Sequence, residues 1–146
     1  VFIHAKVPIL IALKTTEHSN ISLFGKTVLT ALEKYLKSYR DPKIYLQSFD
    51  PRVVYWIKKH HPKIPVGLLL SDNSDLAKKY DFFVNNPLIW RLVKPDFLSV
   101  NESMLSRPAI QKFKTKAPVF CYTIDDEKKL QELKPLATQF IVEKIL

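Results

Sequence analysis

The stretch Ile44-Tyr45-Leu46-Gln47-Ser48-Phe49-Asp50-Pro51 decides how this chain folds. Residues 44–49 form an apolar run of strand length, and Asp50-Pro51 ends it with a helix start. An aspartate side chain accepts backbone N–H bonds at a helix N-cap, and proline suits the first helical position because it lacks an N–H. Val53, Val54, Trp56 and Ile57 then follow at helical spacing. A second continuous apolar run, Val66-Gly67-Leu68-Leu69-Leu70, is entered through Pro65. Strand, helix and strand at this pitch predict parallel pairing, in either a barrel or a doubly wound sheet.

Working outward, strand-length apolar runs occur at residues 9–13, 44–49, 66–70, 97–100, 119–124 and 140–142. Most are continuous rather than alternating, as expected of parallel strands buried on both faces. Helical patterns lie between them. Phe24, Val28, Ala31, Leu32, Tyr35 and Leu36 share one face. Leu76 and Ala77 suggest a short helix before Tyr80, and Ser106 with Pro108 starts another carrying Ile110 and Phe113. Asp125 or Asp126 caps the last helix, with Leu130, Leu133 and Leu136 inward. Residues 71–96 read as the most irregular connection, with turns at Asn85-Asn86-Pro87 and Lys94-Pro95. No repeat, low-complexity tract or linker divides the chain, so one domain is expected over residues 1–146.

Composition narrows the function classes. A chain of 146 residues with 47% hydrophobic and 25% charged residues is globular rather than disordered. No apolar run approaches the roughly 18 residues of a membrane span. The first residue is Val1 and no signal-peptide pattern is present, which suggests a processed product or a fragment that is cytoplasmic or membrane-peripheral. The formal net charge of +9 suits lysines that solvate the outer faces of helices, or else anionic partners: phosphate-bearing small molecules, membrane surfaces or nucleic acid. The densest basic cluster, Lys58, Lys59, His60, His61 and Lys63, falls at a helix end, where cations suit the macrodipole. No zinc-finger spacing or aromatic-interleaved basic motif points to nucleic acid. Cys121 is the only cysteine; mid-strand, it reads as a small buried hydrophobe rather than a nucleophile.

The order of these segments resembles the glycerophosphodiester phosphodiesterase family. Pro8 to Lys14 is similar to that family's Ile-Glu-Ile/Leu-Lys strand, and Gln47-Ser48-Phe49-Asp50-Pro51 to its Gln-Ser-Phe-Asp-Pro segment. Pro65 to Leu70 resembles its Pro-Val-Gly-Leu-Leu strand, and Asp96 to Asn101 its Asp-x-Leu/Ile-Asn strand. Val119 to Asp125 is similar to its Val-x-x-Trp-Thr-Val-Asn strand, and Gln139 to Glu143 falls where its closing strand would lie. The resemblance implies an α/β fold: a partial TIM-type (β/α) barrel of about six parallel strands alternating with helices. The implied family reaction is hydrolysis of glycerophosphodiesters to glycerol 3-phosphate and an alcohol with a divalent cation, Mg or Ca.

Departures from the family pattern set the expectations for activity. The family's leading His-Arg-Gly, Glu-x-Asp and His-Asp segments have no counterpart in this sequence, and the glutamate of its Ile-Glu-x-Lys strand is Ala12 here. A methyl group cannot coordinate a hard cation. The expectation is therefore no catalytic residue, no metal ligand and no activity for this chain alone. Other acid/base candidates are weak: His4 precedes the first strand, Glu17 and His18 share a loop, and His60 and His61 end a helix. The resemblance instead implies that Lys14 faces a phosphate, and Gln47, Phe49, Asn101 and Tyr122 join it as expected substrate-binding residues near C-terminal strand ends where TIM-barrel sites lie, with packing over the barrel core the alternative for Phe49 and Tyr122. Lys14 would meet an anion, and the aromatics would meet a glycerol or alcohol moiety. A glycerophosphodiester or an anionic phospholipid headgroup is the expected ligand, or else a protein partner. Six strands would leave open edges, so self-association or a covering partner is also expected.

Overall fold

A computed structural model describes residues 8–38, 43–72 and 86–143. Its strands are β1 (Ile9–Leu13), β2 (Ile44–Ser48), β3 (Val66–Leu70), β4 (Phe97–Asn101), β5 (Val119–Ile124) and β6 (Gln139–Val142). Its helices are α1 (Ile21–Ser38), α2 (Pro51–His60), α3 (Pro87–Val93), α4 (Pro108–Lys114) and α5 (Glu127–Leu133), with a short 3-10 turn at Glu102–Met104. The strands pair in chain order, β1-β2-β3-β4-β5-β6, every neighbour parallel. The result is a curled half-barrel, the partial TIM-type fold expected from the sequence.

Strand alternation sorts side chains onto two faces. Register pairs Ile11 with Leu46 and Leu46 with Val66, while Leu68 pairs with Leu98. These residues face the helices and form the core with Val53, Val54, Ile57 and Ile110. Leu46, Leu68 and Leu98 are fully buried, each worth roughly 1.5–3 kcal/mol relative to exposure. The alternate residues, Ala12, Tyr45, Gln47, Gly67, Phe97, Ser99, Phe120 and Tyr122, lie on the concave face. Phe97 stacks on Phe120 at 4.7 Å and meets Tyr45 edge-on at 6.3 Å. Gly67 makes room for this cluster, since a Cβ there would sit 2.2 Å from the Phe97 ring.

Local chemistry explains the helix starts. Asp50 caps α2 by accepting the Arg52 N–H, and Asp126 rather than Asp125 caps α5 through Lys128 N–H. Within the segment read as irregular, residues 86–96 form a capped helix and its exit turn. Asn86 caps α3 by accepting the Leu88 N–H, and Lys94 ends it at φ 51° in the left-handed region. Asn86-Pro87, read as part of a turn, is thus the start of a helix too short to show periodicity. At α4, Pro108 opens the helix as expected, but the N-cap is Arg107 with no side-chain cap bond, and Ser106 lies one residue outside. Leu29, absent from the expected face of α1, is buried in the core beside Leu32. His4, the Leu76–Ala77 helix and the Tyr35 and Leu36 side chains lie outside the described residues.

Candidate functional site

The C-terminal ends of parallel strands gather loops at one end of the sheet, where α/β ligand sites form. Three polar groupings hold that end here. The first joins the loop after β1 to the start of α2. Ser48 Oγ donates to Leu13 O at 2.8 Å and accepts from Asp50 N at 3.1 Å. Asp50 then takes a fork from Arg52, with Nη2 at 2.7 Å and Nε at 3.0 Å, and a 2.8 Å bond from the Thr15 hydroxyl. Burial pulls the Asp50 carboxyl upward, but the bonds from Arg52 and Thr15 outweigh it and hold the group below its usual range.

The second grouping lies on the concave face and skips a strand each time. Ser99 Oγ on β4 donates to Gln47 Oε1 on β2 at 2.6 Å, both residues buried. The Tyr122 hydroxyl on β5 donates to Leu70 O on β3 at 2.8 Å. Burial pushes the Tyr122 phenol up to about 12, with the Asp72 charge adding to the rise. Such bridges need curvature, because strands two apart in a flat sheet stand roughly 10 Å from each other.

The third grouping follows β3 and β4. Asp72 Oδ2 accepts the Ser103 hydroxyl at 2.6 Å and faces Arg107 Nη2 at 3.5 Å. Asn101 Oδ1 accepts both Ser103 N–H and Ser103 Oγ, at 3.1 and 2.8 Å. Glu102 pairs with Lys129 at 2.7 Å, and the hydrogen bond raises the Lys129 pKa. Asp72 Oδ1 and Glu102 Oε2 are enclosed without a hydrogen-bond partner among the described residues.

The five expected ligand contacts fall into two kinds. Gln47, Asn101 and Tyr122 already hold internal hydrogen bonds at this end of the sheet. Phe49 is half-buried just past β2, beside the Asp50 cap. Lys14 is exposed just past β1, level with Phe49 by register, and makes no hydrogen bond or ion pair among the described residues. Glu17 and His18 touch at 3.4 Å on the exposed loop after β1. His60 and His61 stack on Trp56 at 4.3 and 6.2 Å, a packing role at the far end of α2. Cys121 faces the helices, and burial pushes its thiol up to about 11, with Glu102 adding to the rise. The Asp72–Ser103–Arg107 and Thr15–Asp50–Arg52 groupings were not singled out from sequence. Only Asp50 carried a signal, as a helix cap.

Among the described residues, none of these groupings is a divalent-cation ligand set. Ala12 points its methyl to the concave face of β1 and is exposed. Among the described residues, no three His, Cys, Asp or Glu side chains converge as a metal ligand set. The outer carboxylate oxygens of Asp72 and Glu102 are already taken by Ser103, Arg107 and Lys129.

The sequence profile of the Glycerophosphoryl diester phosphodiesterase family matches residues 2–142. The chain belongs to this family. Among curated proteins, no sequence matches it. Three solved structures share the fold. One is assigned as a glycerophosphoryl diester phosphodiesterase from Silicibacter pomeroyi, with TM-score 0.71 and 13% identity, over 92% of this chain and 46% of that one. A phosphodiesterase from Oleispira antarctica, in complex with the product sn-glycerol-3-phosphate, gives TM-score 0.64 and 16% identity over 92% of this chain and 51% of that one. A glycerophosphodiester phosphodiesterase from Parabacteroides distasonis gives 0.65 and 16%, over 92% and 52%. The chain therefore spans about half the length of these family structures, and at such identities the likeness establishes fold. Among the described residues, no helix is long and apolar enough to cross a membrane.

Proposed function

We propose that this chain is a glycerophosphodiester phosphodiesterase-type domain that does not hydrolyse glycerophosphodiesters by itself. Ala12 carries this reading. It lies on the concave face of the strand whose family pattern has a metal-binding glutamate, and it offers no oxygen donor to a cation. The half-barrel also leaves β1 paired on one side only among the described residues. An apolar groove of about 300 Å³, lined by Ile9, Ile11, Leu13, Val28 and Leu32, runs beside that edge. Further βα units, from the same protein or a partner, would cover it.

The test is release of sn-glycerol 3-phosphate from glycerophosphocholine, with and without chelator. No release by the 146-residue chain is expected; chelator-sensitive release would overturn the reading. Ala12→Glu should restore turnover only where the rest of a metal site is supplied.

A second reading, binding of a phospholipid headgroup without chemistry, is favoured by Lys14. This cation sits exposed at the C-terminal end of β1, without a hydrogen bond or ion pair among the described residues. Calorimetric titration with glycerol 3-phosphate should show binding that Lys14→Ala removes. Equal binding by both proteins would end this reading. Association at the membrane surface, with the protein otherwise cytoplasmic, is the location this function fits.

A further inference from the structure

Away from the strand ends, α3 and α4 lie side by side on the outer layer. Trp90 meets Phe113 edge-on at 6.0 Å, a ring contact between the two helices. Between them runs an open groove of about 610 Å³, with Trp90, Ala109 and Phe113 along it. Its cations are Arg91, Lys112 and Lys116, all exposed and without an ion pair among the described residues. Among the described residues, no acidic side chain lines it. On the lip, Leu88 is 61% exposed, and one turn further along α3 Leu92 is 69% exposed. Among the described residues these are two of the five exposed large hydrophobics, and their sharing one helical turn singles out this patch.

We propose that this face docks on an anionic lipid bilayer. Leucines standing clear of their surroundings, flanked by unpaired cations, match the requirements of a membrane interface. The apolar tips enter the headgroup boundary while the cations stay at the charged surface. Among the described residues, no salt bridge competes for Arg91, Lys112 or Lys116. A peptide lying in the groove would cover Trp90 and Phe113 but would leave Leu92, which does not line the groove, in water. A bilayer plane covers both leucines and all three cations together. Lysine and arginine near an anionic surface each contribute about fivefold in affinity. Two leucines entering from more than half exposed contribute roughly tenfold together.

The experiment is flotation of the full-length protein with vesicles of phosphatidylcholine alone and with about 30% phosphatidylserine. Binding to the phosphatidylserine vesicles, weakened by raised salt, is the expected result. L88S/L92S keeps every charge and changes only exposed side chains; it should bind roughly tenfold more weakly, with an unaltered circular dichroism spectrum. K112Q/K116Q should bind about 25-fold more weakly. Two results overturn the proposal. If L88S/L92S binds like the parent, attraction comes from the overall positive charge and not from this face. If the parent does not float with phosphatidylserine vesicles at about 0.1 M salt but binds an acidic amphipathic peptide, the groove is a peptide site instead.

Discussion

Replacing Asp50 with alanine probes the tie between the loop after β1 and α2. Asp50 is 3% exposed and receives the Arg52 fork, the Thr15 hydroxyl and the Arg52 backbone N–H. Loss of an aspartate N-cap costs about 1 kcal/mol. Loss of hydrogen bonds to a charged group costs about 1.5–3 kcal/mol, at the lower end here because the Arg52 side chain is 44% exposed and can be rehydrated. Asp50→Ala is therefore expected to destabilise by about 2–3 kcal/mol near neutral pH. For a chain of this size that lowers Tm by about 5–10 °C.

The pH dependence follows from the direction of the Asp50 shift. The folded-state value lies below the usual 3.8, so the stabilisation is present above that value and is lost as pH falls through the lowered one. Urea unfolding at a series of pH values measures it. The gap between parent and Asp50→Ala should be full at neutral pH and shrink toward the cap-independent remainder in strong acid. Asp50→Asn keeps a capping oxygen and should cost about half as much. A gap that stays constant down to about pH 2, or an alanine variant within about 0.5 kcal/mol of the parent, would refute the assignment of this ion pair as a tie.

Gly67→Ala should destabilise by about 1–3 kcal/mol in chemical denaturation, because its Cβ meets the nearly buried Phe97 ring. Gln47→Ala should cost about 1–3 kcal/mol by leaving the Ser99 hydroxyl without its acceptor, whereas Gln47→Leu with Ser99→Ala should recover much of the loss. Ultraviolet titration should find one tyrosine ionising near 12 and missing from Tyr122→Phe. Because its folded pKa is raised, Tyr122 stabilises fully below the usual value of 10.0, and that stabilisation fades as pH rises toward 12. Cys121, raised to about 11 and buried, should resist thiol reagents at pH 8 until the chain unfolds.

The parallel half-barrel was legible because its signals are local. Continuous apolar runs mark strands buried on both faces, and the Asp-Pro and Pro-entered segments mark where each helix or strand begins. α3 escaped notice because seven residues give too few turns for periodicity, and Asn86-Pro87 serves equally as a turn or a capped start. The concave face was legible only in part. Alternation within β2 and β5 put Gln47 and Tyr122 on it, but their partners, Ser99 and the Leu70 carbonyl, are each 52 residues away.

The sequence by itself determined the order of elements, their parallel pairing and the loss of an oxygen donor at Ala12, since each depends on residue type and short-range spacing. Only the tertiary structure decided that Gln47, Asn101 and Tyr122 spend polar atoms inside the protein while Lys14 has no partner among the described residues. It also decided that Leu88, Leu92 and the α4 lysines share one surface. Curvature of the sheet and packing of neighbouring helices bring together groups far apart in the chain, and no local preference encodes those distances.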